Sequence, residues 1–181
     1  MNKHPDFYRE GECDFSKNLR QALRGTVVNV ALLTTRDHSG GFHGLAVTTA
    51  VPFSTHRPAI IVAVNNHASA FPAIRDSGYF CLNQITTNDI DLLDRFCRSD
   101  KRASRFTSDR WVEGMHGLPY LAGATTCFFC DVQQAYAHDD QTVFIGKIDG
   151  VRLGHRCPET PEDPLIWLNG GAAKLARREI A

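Results

Sequence analysis

Within residues 44–76, GLAVTTAVPFSTHRPAIIVAVNNHASAFPAIRD, two apolar runs each end in small polar side chains. Thr48 and Thr49 close the first, Asn65 and Asn66 close the second, and Ser69 follows three residues later. Hydroxyls and amides of this kind are neutral donors and acceptors, suited to holding a flat polar ring or an anion. Ser69 stands at the cap position of a helix whose first turn is Ala70, Phe71 and Pro72. Unpaired N–H groups at such a start attract phosphate. The same residues serve as ordinary turn and cap formers, and both readings stay open. Period two puts Thr48 and Ala50 on one strand face and Thr49 and Val51 on the other, so a bend, favoured by Pro52, is needed to aim them at one ligand.

Other chemistry-bearing residues are dispersed. Cys127 and Cys130 lie three apart in a strand pattern and point to opposite faces, and no second ligand pair has zinc-site spacing, so no metal is expected. The six cysteines read as reduced, buried thiols. Lys plus Arg and Asp plus Glu balance at 20 each, so no global field gathers nucleic acid or anionic membrane. The polar start, MNKHPDFYREGECDF, and the lack of any run of about 18 apolar residues predict a soluble, cytoplasmic protein.

The elements that must position these groups follow from periodicity. A length of 181 residues predicts one domain spanning 1–181, with a helix at about 15–25 and a barrel at about 26–168. Phe15, Leu19 and Leu23 have helical spacing, and residues 26–35 then turn β-branched and apolar. Turn residues at 37–41 send 42–51 back antiparallel, and 59–64 forms a third strand. A short helix at 69–77 ends at Gly78, a strand follows at 79–85, and a second helix covers 88–98 with Asp89 and Asp91 in its first turn. Residues 99–122 read as a surface wrap, 124–137 and 142–153 as a hairpin around residues 138–141, 158–164 as a loop and 164–168 as a last strand. About seven strands, with helices not placed as regular crossovers, predict a mainly β fold: a closed or partly closed antiparallel barrel with a few helices.

The stretch RFTSDRWVEGMHGLPYLAGA places Arg105, Phe106, Trp111, Gly114, Gly117, Pro119, Leu121 and Ala124 at a distinctive spacing. Together with LLTT at 32–35, AVNNHAS at 63–69, AIRDSGYFCLNQI and FIGKI at 144–148, it resembles the short-chain flavin reductases with an FMN-binding split barrel, the partners of two-component flavin monooxygenases. The resemblance runs from about residue 19 to 175 and implies a Greek-key antiparallel split barrel, a homodimer, FMN or FAD, and NADH or NADPH as co-substrate. Thr48 and Thr49, with the N–H groups of Ala50 and Val51, then face the flavin's pyrimidine edge. Asn65, Asn66 and Ser69 lie by its phosphate, and Arg102 and Arg105 add cationic contacts to the phosphate or an adenosine tail; a solvated surface position is the other reading of Arg102. Hydride transfer in such a site is positional, with the reacting atoms about 3 to 3.5 Å apart and no protein nucleophile.

Departures from the family pattern cluster on the nicotinamide side. Gln141 replaces a histidine often credited with meeting the nicotinamide, and His138, three residues earlier, is a candidate substitute. Trp167 and Ala172 stand where tyrosines are common, and His56, Arg57 and Pro58 replace an acidic double-proline turn. Trp111 and Trp167 each fit core packing, a dimer contact or ring stacking. A split-barrel FMN- or haem-binding module without nicotinamide chemistry is therefore the second reading.

Overall fold

The computed structural model describes residues 10, 11, 13–154 and 163–173. Its regular elements begin with helix α1 (Phe15–Arg24) and strands β1 (Val28–Asn29), β2 (Ala31–Arg36), β3 (Phe42–Val47), β4 (Val51–Ser54) and β5 (Ala59–Asn65). Helix α2 (Phe71–Ser77), strand β6 (Tyr79–Gln84), helix α3 (Ile90–Cys97) and strands β7 (Trp111–Glu113) and β8 (Pro119–Leu121) follow. The long strands β9 (Thr126–His138) and β10 (Gln141–Leu153), then β11 (Ile166–Leu168) and β12 (Gly171–Ala173), complete the order. Most of the loop expected at 158–164, and Cys157, lie outside the described residues.

Seven strands form one antiparallel sheet in the order β3-β2-β6-β9-β10-β5-β4. Its two edges, β3 and β4, are consecutive in the chain and separated only by residues 48–50. One bent stretch therefore supplies both edges, β3 meets β5 across the seam, and the sheet curls into a barrel-like form. Smaller sheets, β1-β11-β12 and β7-β8, sit outside it.

Alternation along the central strands builds two cores. Leu33, Phe80, Leu82 and Phe144 face one, closed by Ile74 of α2. Leu32, Cys81, Cys127 and Phe129 face the other, covered by Leu92, Leu93 and Phe96 of α3 and by Leu118 and Leu121 of the wrap. Burial on both faces explains why β2 and β6 read as continuous apolar runs, and each fully buried Leu or Phe stabilises by about 1.5–3 kcal/mol. Cys127 and Cys130 fall into separate cores, as period two requires. Burial, with Asp149 nearby, pushes the Cys130 thiol up to about 12.

Several expected boundaries move for identifiable reasons. The strand expected at 26–35 breaks at Val30, whose N–H donates to the Leu165 carbonyl as the chain passes from the small sheet to the main one. Helix α2 starts at Phe71 with Ala70 at its cap, so Ser69 lies outside it and no side chain caps it. Gly78 ends α2 in the left-handed region (φ 74°), as its sequence position predicts. The second helix is split into a 3-10 turn at Thr87–Asp89 and α3, and Thr86 and Asp89 form a reciprocal capping box at its start. Strand β12 was not expected. It returns through Asn169 (φ 53°) and Gly170 (φ 83°), a two-residue turn with both residues left-handed, for which Asn-Gly is the favoured pair.

Candidate functional site

The bend between β3 and β4 is made by a substitution within the ladder. Val51 pairs with Ile61, and continuing that register by two residues sets Thr49 opposite Ala63. There a side chain does what backbone would do: the Thr49 hydroxyl accepts from the Ala63 N–H at 3.1 Å and donates to the Ala63 carbonyl at 2.8 Å. The edge of β5 is satisfied, while the backbone of residues 48–50 stands outside both the β3 and β4 pairings. Thr48 and Thr49 are exposed, and Ala50 is half-buried against the inner core. The Thr49 side chain is thus committed to Ala63 rather than turned outward; peptide groups and Thr48 are what this bend offers a ligand.

Beside it, the end of β5 is fastened to the β9–β10 hairpin. Asn65 pairs with Gln141 across the sheet, accepts from the His67 N–H at 2.8 Å and donates to Asp140 Oδ2 at 3.1 Å. Asn66 donates from its backbone to the Asp140 carbonyl at 2.8 Å and from its side chain to the Asp139 carbonyl at 3.3 Å. Its Oδ1 accepts from the buried Thr142 hydroxyl at 2.7 Å. The hairpin tip is tight, with Asp139 in the left-handed region (φ 48°) that Asp tolerates better than most residues. Both asparagines therefore act as turn fasteners, each with hydrogen-bonding capacity left over. Thr142 and the Asp139–Asp140 tip, absent from the sequence candidates, are what hold them; the polar HDDQT turn was the only available signal.

The remaining candidates separate. Gln141 lies at this corner through its pairing with Asn65, its Nε2 directed at Asp140 Oδ1 at 3.4 Å. His138 is its partner across the hairpin, with 87% of its side chain exposed. Ser69 is half-buried in the turn that leads into α2. Arg102 is exposed at the start of a 3-10 turn, Arg102–Ser104.

Arg105 corrects the sequence expectation of a cationic ligand contact. Only 6% exposed, it donates to four backbone carbonyls: Arg95 (2.9 Å), Gly44 (2.8 Å), Phe96 (3.2 Å) and Arg98 (3.0 Å). Burial, then the charge of Arg102, pulls its pKa down. Gly44 is four residues from Thr48, about 13 Å of extended strand, so Arg105 fastens the wrap rather than the corner. Trp111 donates from Nε1 to the Arg105 carbonyl at 2.8 Å and packs against Phe96 and Phe106. A Cβ on Gly114 would sit 2.8 Å from the rings of Phe129 and Tyr120, so this position in the wrap admits only glycine without displacement. The stretch that carries the sequence resemblance is thus largely scaffold.

Comparison with known proteins gives the corner a context. The family model described as "Flavin reductase like domain" matches residues 23–176. The chain is 30% identical over 132 residues to the FMN reductase (NADH) RutF 2 of Methylorubrum extorquens, covering 73% of this chain and 76% of that protein. It is 29% identical over 135 residues to the actinorhodin polyketide dimerase of Streptomyces coelicolor, covering 75% of each. In fold it is similar to the NADH:FAD oxidoreductase SgcE6 of Streptomyces globisporus, solved in complex with NAD and FAD fragments, with a TM-score of 0.80, 17% identity and coverage of 95% of this chain and 99% of that one.

Proposed function

Since the chain belongs to the flavin reductase-like family, we propose that it is an NADH:flavin oxidoreductase that binds FMN or FAD at the bend between β3 and β4 and supplies reduced flavin to a partner monooxygenase. The observation that carries this reading is the Thr49–Ala63 substitution, because it leaves consecutive peptide groups outside the ladders on the rim of a rigid sheet. Such donors fit the polar edge of a flavin, and they require no reorganisation as negative charge gathers there. When bound, the flavin supplies a ring that takes a hydride from the reduced nicotinamide.

Thr48 and the N–H groups of residues 49 and 50 would hold that edge, since Val51, expected beside them, is paired with Ile61 in the ladder, with Asn65, Asn66 and Ser69 lying toward the phosphate. Gln141, fixed beside Asn65, can orient a carboxamide but carries no proton. A family relative named a polyketide dimerase shows that membership alone does not name the acceptor. The peptide donors at the bend favour the reductase reading over a module that only stores a ring, since they act on charge that appears during reduction.

The proposal includes a homodimer. Val51 and Phe53 on the edge strand β4, and Tyr136 on the projecting part of β9, are large apolar side chains left exposed. Among the described residues, no helix is long and apolar enough to cross a membrane and the cysteines at 13, 81, 97, 127 and 130 are free, which supports work in a reducing cytoplasm. Steady-state oxidation of NADH, monitored with FMN, FAD and riboflavin in turn, tests the activity. Turnover that saturates in at least one flavin is expected, and no flavin-dependent oxidation with any of the three would refute it.

A further inference from the structure

We propose that the groove between α1 and the β11–β12 turn binds the phosphates of a nucleotide. The groove has a volume of about 960 Å³, within the range of ligand sites, roughly 300–1,000 Å³. Lys17, Arg20 and Arg24 line it from α1. Their spacing of three and four residues sets all three on one helix face, and α1 contains no acid. None of the three side chains forms a salt bridge or hydrogen bond with another described residue. Cations of Arg36, Arg75, Arg98, Lys101, Arg110 and Lys147, by contrast, are each paired with a carboxylate. Asp14 caps the helix one turn before Lys17, so among the described residues of this helix and its cap three cations stand against one carboxylate, a net positive field that a polyanion neutralises.

The opposite wall is fixed by strand pairing. Trp167 lines it, held in register by pairing with Val28 and Ala172. The turn is tied to the helix end by the Asn169 N–H, which donates to the Arg24 carbonyl at 2.8 Å. A Cβ on Gly170 would fall 2.6 Å from Arg24 Nη2, so the guanidinium lies against the turn itself. A partly buried indole lining the same groove as three cations matches a ligand with a stacking base at one end and several phosphate charges at the other. A nucleoside diphosphate has that form. It has three sources, the adenylate half of the nicotinamide co-substrate, the adenylate half of FAD or a separate nucleotide; only the first two assignments rest on the reductase reading.

Calorimetric titration of the full chain with ADP, without flavin, tests the groove independently of any reductase activity. The double variant Lys17→Gln/Arg20→Gln removes two exposed side chains that form no bond with another described residue, so its fold is expected to survive, with an unchanged melting temperature as the check. ADP is expected to bind the parent protein at sub-millimolar affinity, weakening with added salt, and to bind the variant about tenfold more weakly. If KM for NADH rises by the same factor while KM for FMN stays fixed, the nucleotide is the co-substrate; if KM for FAD rises while those for NADH and FMN do not, it is the adenylate half of FAD; if none of these moves, the groove holds a separate nucleotide. Absence of ADP binding below the millimolar range, or equal affinity in parent and variant, overturns the proposal. So does a variant whose only change is its sedimentation, which would mean that a second copy of the chain fills the groove.

Discussion

Thr49 and Arg105 each bond to main chain, with opposite consequences. Thr49 replaces a backbone pair in the β4–β5 ladder, and the peptide groups around it are left outside the pairing. Arg105 gathers four carbonyls from α3, the turn after it and β3, and closes them away from solvent. One side chain leaves backbone outside the ladders and the other ties backbone down. A cation in the sequence is therefore no guide to ligand contact until its donors have been counted, and a small hydroxyl can shape the backbone around it by standing in for a peptide group.

The largest effect expected from this contrast is on stability. Arg105→Met should leave four carbonyls without their charged donor and cost about 3–5 kcal/mol, a fall in melting temperature of about 10 °C. Flavin affinity measured well below that temperature should stay at the parent value. A variant that melts normally but loses flavin affinity would return Arg105 to the ligand.

A smaller change is expected at the corner. Gln141→His places a titrating ring beside Asn65, so kcat/KM for NADH should acquire a dependence on pH with a midpoint near about 6.5 that the parent lacks. A pH profile identical to the parent's would show that residue 141 does not meet the nicotinamide.

The smallest effect concerns a third side chain bonded to backbone, at the β2–β3 turn. Asp37 accepts from the Ser39 hydroxyl (2.7 Å), His43 Nε2 (2.7 Å), the Gly41 N–H (2.8 Å) and the Ser39 N–H (2.9 Å). These bonds, Ser39 first, hold its carboxyl well below the usual carboxylate range. A depressed folded pKa stabilises above the unfolded value of about 3.9 and is lost as pH falls toward the folded one. Asp37→Asn should therefore melt below the parent at pH 7, with the gap narrowing at pH 3. A gap that is constant with pH would mean that the charge contributes nothing.

The sequence made the barrel legible because alternation, turn residues and fully apolar strands report burial directly; β6 and the β9–β10 hairpin fell where periodicity set them, while the strand expected at 26–35 divided at Val30 into β1 and β2. It made the corner legible as a neighbourhood, since Thr48, Thr49, Asn65 and Asn66 end the strands that meet there. Individual roles were not legible. Whether Thr49 faces a ligand or Ala63 depends on the register between β4 and β5, and whether Arg105 is solvated depends on its meeting Gly44 of β3, 61 positions away in the chain. Short strands such as β7 and β12 were missed because three residues carry no period, although Asn169-Gly170 marked the second.

The central claim is that the Thr49 hydroxyl, by standing in for backbone, opens the flavin site. Equilibrium titration of FMN and FAD into the parent, Thr49→Ser and Thr49→Val tests it most directly. Serine keeps both bonds to Ala63 and should bind flavin as the parent does, whereas valine keeps the shape, loses the bonds and should bind about tenfold more weakly, a change of about 1.4 kcal/mol. A folded Thr49→Val protein that binds flavin with parental affinity would contradict the account.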